Sequence, residues 1–295
     1  MKHQEGTFAG LNNAAIYYQY WLPEATPRAI MLLVHGAGEH SGRYGYFVEH
    51  LTAQGYIVAA LDHPGHGRSA GMRGYIDRFT DYLETLQRFH RQVSVEFSGL
   101  PQFLVGHSMG GLISSHYLLQ CQDDFVGCVL SGPALMTDLK PSVVQMAIAR
   151  TLSILLPKAG ALQLNPEGIS RDVEEVRRYR DDTLIYKGKV SARLLVELFD
   201  AMERIQAQAA KIRLPLLLLH GGDDSMASPE SSRFLNLHAS STDKTLNIYP
   251  GLFHEIFNEP ERQLVFTDIV RWCDSLLIRK EGIFSVSETN QSRTQ

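Results

Sequence analysis

Two patterns of apolar positions alternate along most of the chain. Short runs of consecutive apolar residues, bounded by turn-forming residues, fall at Ala29–Val34, Tyr56–Leu61, Gln102–Val105, Phe125–Leu130, Leu214–Leu219 and Thr245–Tyr249. Such runs suit strands buried on both faces. Between most of them lie longer amphipathic stretches, at Tyr44–Gln54, Ile76–Phe97, Met109–Gln120, Pro229–Ala239 and Pro260–Arg279, which predict helices. Strand and helix in alternation predict an α/β fold with a mostly parallel central sheet and helices on both faces. Ahead of this rhythm, Thr7–Trp21 partly alternates apolar and polar residues around Asn12-Asn13, which predicts an antiparallel hairpin at the sheet edge.

One interval breaks the rhythm. Residues 133–212 are too many for a single crossover connection and predict an inserted helical cap on a core formed by 1–132 and 213–282. The interval holds an apolar segment, Val143–Leu156, closed by Pro157, then a charged helix near Val173–Tyr179 and an amphipathic one over Ser191–Ile205. The last stretch, 283–295, is rich in Ser, Thr, Asn and Gln, a composition that predicts a disordered tail.

Composition narrows the class. With 295 residues, 44% hydrophobic and 20% charged, the chain suits one compact unit with an inserted subdomain. The net charge of -4, with Lys and Arg scattered, sets nucleic acid aside as a partner. Met1–Gly10 is polar, unlike a signal peptide, and no stretch reaches the roughly 18 apolar residues of a membrane span, so a cytoplasmic protein without a transmembrane segment is expected. Cys121, Cys128 and Cys273 are odd in number and lack metal-type spacing, which fits reduced structural thiols. No cofactor or metal is called for. His63 and His66, three apart beside Asp62, lack a second cluster to complete a coordination sphere.

The strongest chemical signal is Gly106-His107-Ser108-Met109-Gly110, a G-x-S-x-G between an apolar strand and a helical stretch. A serine on a sharp strand-to-helix turn projects its hydroxyl above the sheet. That hydroxyl is a poor nucleophile unless a base removes its proton and a third group orients the base. The strand Leu214–Leu219 runs into His220-Gly221-Gly222-Asp223-Asp224, and Thr245–Tyr249 runs into Pro250-Gly251-Leu252-Phe253-His254, so an acid and a histidine emerge at the edge that carries Ser108. Ser108, Asp224 and His254 are the expected triad, with Asp223 a competitor that turn geometry must decide. Of the 12 histidines, His3, His50, His90, His116 and His238 fall in helices or the terminus, and His220 closes a strand as a hydrogen-bonded support. The developing oxyanion needs fixed N–H donors. Met109, after the nucleophile, supplies one; Ala37, in the loop His35-Gly36-Ala37-Gly38-Glu39-His40, is the candidate for the other.

With these residues in hand, the chain resembles the monoglyceride lipases and their bacterial lysophospholipase-like relatives, from about Thr7 to Leu277. The resemblance rests on four blocks: 35–44, 62–69, 106–111 and 243–251. It implies the α/β-hydrolase fold, Ala37 and Met109 as the oxyanion hole, Asp224 as the triad acid, and Glu39, Arg43 and Tyr179 near the glycerol head group. Two positions depart from it: Thr183 follows Asp181-Asp182 where a proline is usual, and Ala227 stands where vertebrate monoglyceride lipases carry a reactive cysteine. The expected activity is hydrolysis of single-chain lipid esters through an acyl-enzyme on Ser108. A lysophospholipase, carboxylesterase or acyltransferase on the same triad is the enzymatic alternative, and a non-catalytic ligand-binding member of the fold the distant one. Val143–Leu156 has apolar residues on most sides, interrupted by Gln145 and Arg150. It either packs against the cap's other helices or forms an exposed lip that admits an acyl chain and touches membranes or micelles.

Overall fold

The computed structural model describes residues 1–137, 142–163 and 165–291, with side chains as far as 279; of the stretch expected as a disordered tail, the backbone of 283–291 continues the last helix, and 292–295 lies outside the described residues. Strands β1 (Lys2–Ala9), β2 (Ala15–Leu22), β3 (Ala29–Val34), β4 (Tyr56–Leu61), β5 (Gln102–His107) and β6 (Gly127–Ser131) are followed by a separate two-stranded ribbon, β7 (Gly160–Gln163) and β8 (Lys189–Ser191), and then by β9 (Leu216–Gly221) and β10 (Lys244–Tyr249). Eight strands form one sheet in the order β1-β2-β4-β3-β5-β6-β9-β10. Pairing is antiparallel at β1/β2 and β2/β4 and parallel from β4 onward.

The helices are α1 (Gly45–Ala53), α2 (Phe79–Glu96), α3 (Met109–Cys121), α4 (Val143–Leu155), α5 (Val173–Asp181), α6 (Ala192–Gln206), α7 (Glu230–His238) and α8 (Arg262–Gln291). They cover both faces of the sheet, and the two-residue period of β3 shows how. Ile30, Leu32 and Val34 pack with α2 and α3, while Ala29, Met31 and Leu33 pack with α1 and α8. All six are fully buried, the burial on both faces that a run of consecutive apolar residues predicts.

Strand ends differ from the apolar runs where pairing outlasts hydrophobicity. β5 continues through Gly106 and His107, which pair with Leu130 and Ser131 of β6. The ribbon β7/β8 was not expected at all; its four-residue strand is largely exposed and carries no apolar run. The stretch between β6 and β9, expected as a cap, meets the loops that follow the strands: the Tyr186 N–H donates to the Gly38 carbonyl at 2.8 Å and His40 Nε2 lies 2.8 Å from Asp182 Oδ2. Nε2 of His116 on α3 donates to the Ala201 carbonyl of α6 at 2.9 Å.

Candidate active site

Ser108 caps the N-terminus of α3 with φ 54° and ψ -120°, a left-handed conformation that costs a non-glycine residue on the order of 1–3 kcal/mol. The surroundings hold it there. Its N–H donates to the Ser131 carbonyl at 3.0 Å, and its carbonyl accepts from Gly111 at 2.9 Å and Ala134 at 3.0 Å. The flanking glycines are steric necessities: a Cβ on Gly110 would lie 2.0 Å from the Val34 carbonyl oxygen, and one on Gly106 would lie 2.5 Å from Ser114 Oγ. The expected nucleophile therefore stands on a tight strand-to-helix turn that β5 and α3 can form only without side chains at these two positions.

The loop after β9 places the two adjacent acids differently. Asp223 is exposed, whereas Asp224 is buried and its Oδ2 lies 2.6 Å from His254 Nδ1. Its Oδ1 accepts the N–H groups of Met226 and Ala227 at 2.8 and 2.9 Å. A carboxylate can only accept, so His254 carries its proton on Nδ1 and keeps a lone pair on Nε2, able to take a proton. His220 buttresses the same acid: its Nε2 contacts Asp224 Oδ2 at 3.1 Å and the Ala227 carbonyl at 3.0 Å, while Nδ1 accepts from Ser232. Burial pushes the Asp224 pKa up, but His254, His220 and the Ala227 N–H outweigh it and hold the carboxyl far below its ordinary value. For His254 burial pulls down, and the Asp224 charge more than offsets it, so its pKa rises above 6.5.

Ser108 and His254 open onto one cavity of about 150 Å3 that Ala37, Met109, Glu39 and Tyr179 also line. Arg43 stands behind it. Its guanidinium pairs with Glu255 and, at 3.6 Å, with Glu39, and lies 4.8 Å from the Tyr179 ring centre. Glu39, Arg43 and Tyr179 thus form one cluster at the cavity's polar end. Two buried carboxylates share this single arginine. Burial first, and then the neighbouring Glu255, raise the Glu39 pKa to about 7 against the pull of Arg43.

Two further groups escaped the sequence reading. Glu255 bonds Arg43 and, at 2.7 Å, Asn258; its signal was an acid directly after the histidine. His107 packs its ring 4.8 Å from that of His254, and burial lowers its pKa to about 3, so it stays neutral beside that imidazole. The other half of the cavity is apolar, walled by residues such as Leu112, Leu198, Phe199 and Met202. An adjoining groove of about 780 Å3 shares Met136, Thr137, Phe199 and Met202 with it and reaches Val143, Met146 and Ala147 of α4. Asp62 spends its oxygens on Ser41 and Arg68, at 2.6 to 2.8 Å, as a brace between two loops.

α4 begins with a capping box in which Ser142 and Gln145 exchange side-chain and backbone bonds. Val143, Val144, Ile148, Ile154, Leu155 and Leu156 are exposed, and the helix buries only Ser153. Packing against the cap's other helices therefore does not account for this apolar surface. No helix among the described residues is long and apolar enough to cross a membrane.

Comparison with known proteins gives consistent similarities. The family described as serine aminopeptidase, S33, matches residues 25–261. A monoacylglycerol lipase of Mycolicibacterium smegmatis is 36% identical over 92% of this chain and 98% of its own length. The human monoglyceride lipase is 33% identical over 87% of this chain and 86% of its own. Among solved structures, the monoacylglycerol lipase of Paleococcus ferrophilus superposes with a TM-score of 0.75 at 35% identity, covering 94% of this chain and 99% of that one.

Proposed function

The chain belongs to the serine aminopeptidase, S33, family of α/β-hydrolases, among the monoglyceride lipases and their bacterial relatives, and from that membership we propose that it cleaves monoacylglycerol to glycerol and fatty acid through an acyl-enzyme on Ser108. The chain is a serine ester hydrolase. What carries the reading is a single cavity with two ends, apolar along Leu112, Leu198, Phe199 and Met202 and polar at Glu39, Tyr179 and Glu255, with Ser108 and His254 on its wall. Such a cavity suits one acyl chain and one small hydroxylated head group.

In this reading His254 Nε2 takes the Ser108 proton as the hydroxyl oxygen bonds the ester carbonyl carbon. Asp224 fixes the imidazole's tautomer and stabilises the imidazolium that forms. The carbonyl oxygen gains its charge facing the Ala37 and Met109 N–H groups, donors worth roughly a hundredfold to a thousandfold each in rate. Met109 opens α3, so its N–H has no partner in the helical ladder. The imidazolium then protonates the leaving glycerol oxygen, and water, deprotonated by the same base, releases the fatty acid and restores Ser108. The cavity of about 150 Å3 is smaller than the roughly 300–1,000 Å3 of sites that enclose a drug-sized ligand. A long acyl chain therefore extends into the adjoining groove under α4. The exposed apolar face of α4 suits contact with the membrane or micelle that delivers the substrate.

Ser108→Ala tests the assignment. The variant should fold as the parent does, release no fatty acid from monoacylglycerol and resist labelling by a fluorophosphonate. Labelling that persists would move the nucleophile elsewhere.

A further inference from the structure

The N–H of Ala37 and the carbonyl of Gly36 belong to the same peptide plane, so whatever fixes one aims the other. Two buried side chains grip this plane and the one before it. His35 is fully buried, its Nδ1 lies 2.8 Å from the Gly36 oxygen, and its Nε2 lies 2.9 Å from the His63 backbone nitrogen. A backbone N–H only donates and a carbonyl only accepts, so Nδ1 carries the proton and points it at Gly36. On the other side, Glu39 Oε1 accepts the Gly36 N–H at 2.6 Å and the Tyr44 hydroxyl at 2.7 Å. Gly36 itself passes so close to the nucleophile that a Cβ would lie 2.8 Å from Glu39 Oε1 and 3.1 Å from Ser108 Cβ. The cap adds a third restraint, from the Tyr186 N–H to the Gly38 carbonyl at 2.8 Å.

We propose that Glu39 is a positioning residue of the oxyanion loop: by accepting the Gly36 N–H it fixes the His35–Gly36 peptide, the plane before the one His35 holds through the Gly36 carbonyl, and so limits the rotation at Gly36 that would turn the Ala37 N–H away from the developing oxyanion, independently of any contact with the substrate's head group. The inference rests on reading Ser108 as the nucleophile and Ala37 as a donor. It assigns Glu39 a task that hinges on reach, from the loop backbone to the carboxyl oxygen, and on an acceptor atom. Negative charge is not part of it. A carboxyl whose pKa is raised to about 7 is nearly as well accommodated neutral as charged.

Reach and charge can be separated. Glu39→Gln keeps the acceptor at the same distance and removes the charge; Glu39→Asp keeps the charge and withdraws the acceptor by one methylene. Steady-state kinetics should be compared on p-nitrophenyl acetate, which has no glycerol head, and on a long-chain monoacylglycerol, with thermal unfolding followed for both variants. Glu39→Asp is expected to lower kcat on both esters by up to about a hundredfold, the scale of one misplaced oxyanion donor, with KM little changed. Glu39→Gln should recover most of that loss. If Glu39→Asp raised only the KM for monoacylglycerol and left p-nitrophenyl acetate turnover alone, Glu39 would be a head-group ligand and the proposal would fall. Equal losses in the two variants would overturn it as well, since charge would then be the property that matters. A Ser108→Ala protein that kept its fluorophosphonate labelling would instead remove the site reading on which the proposal stands.

Discussion

The loops beneath the cap and the lip of the cap are built on opposite terms. In the loops, polar groups around Ser108, Asp224, His254 and Gly36 are buried and held by specific partners, and the strap between α5 and α6 is stitched onto them. His40 meets Asp182 at 2.8 Å, and Tyr186 bonds Gly38. α4, some residues upstream in the same interval, presents Val143 at 88% and Ile154 at 69% exposure, and among the described residues its ion pairs to α6 are the exposed or part-exposed contacts of Arg150 with Asp200 and Glu203. An exposed ion pair contributes about 0–1 kcal/mol. The lesson is a division of labour. The groups that the proposed mechanism needs in fixed positions are over-determined, while the α4 face, which the proposed function would set against lipids of varying length, carries apolar area that is largely exposed. Damage to the loops should therefore hit every ester alike, and damage to the lip should depend on the acyl chain.

The largest expected effect lies in the loops. In Asp224→Asn the Oδ1 side can still accept from Met226 and Ala227, but an amide N–H faces His254 Nδ1 and forces the imidazole proton onto Nε2. Turnover should fall by about ten-thousandfold, as in a related triad, on p-nitrophenyl acetate and monoacylglycerol equally. Asp223 is exposed, and Asp223→Asn should do little. A loss in Asp224→Asn confined to long-chain substrates would break the comparison, because it would make this acid part of substrate admission.

A smaller effect sharpens the same point through pH. His254 must be neutral to act as base, and Asp224 keeps its pKa above 6.5 although burial pulls the other way. Activity should fall as pH drops through that raised value, so the acid limb of kcat/KM lies above pH 6.5. In Asp224→Asn the residual activity should show this limb displaced toward acid pH, since the main raising cause is gone. His107 does not interfere, being neutral down to about 3. The limb should sit at the same pH for short and long esters; a limb that moved with chain length would assign it to another group.

How much of this was legible beforehand follows the same division. The central strands were readable because burial on both faces leaves no room for polar positions: Ala29–Val34 and Tyr56–Leu61 are strands from end to end. The elbow at Ser108 was readable because sterics demand Gly106 and Gly110. Asp224 was the expected acid, but Asp223 competed with it because adjacent residues differ only in which way the turn after β9 points them; the structure buries Asp224 beside His254 and exposes Asp223. The Gly36–Glu39 bond was invisible, a three-residue spacing that any turn could show. The ribbon β7/β8 was missed because β7 is largely exposed and β8 is three residues long, too short for Val190 and Ser191, its two buried positions, to make a recognisable run. For Val143–Leu156 sequence offered two readings, because composition does not say which apolar residues face solvent; the fold leaves most of them exposed, which supports the lip in the proposed function.

The smallest effect belongs to the lip. Ile148 and Ile154 are 55% and 69% exposed, so Ile148→Asp together with Ile154→Asp places the new charges in water, and the fold should lose little stability. Were these residues buried, unpaired carboxylates would cost several kcal/mol and circular dichroism would report it. What the pair should lose is apolar contact with an acyl chain or a lipid surface. At about 1 kcal/mol for each half-buried side chain, two substitutions weaken that contact by about 2 kcal/mol, or roughly tenfold to thirtyfold. The loss should appear as a higher apparent KM for long-chain monoacylglycerol presented in micelles. It should shrink as the chain shortens and vanish for p-nitrophenyl acetate, whose acetyl group never reaches α4. Equal losses on both substrates, with the fold intact, would mean that α4 transmits to Ser108 as the strap does, and the distinction between the two halves of the cap would be lost.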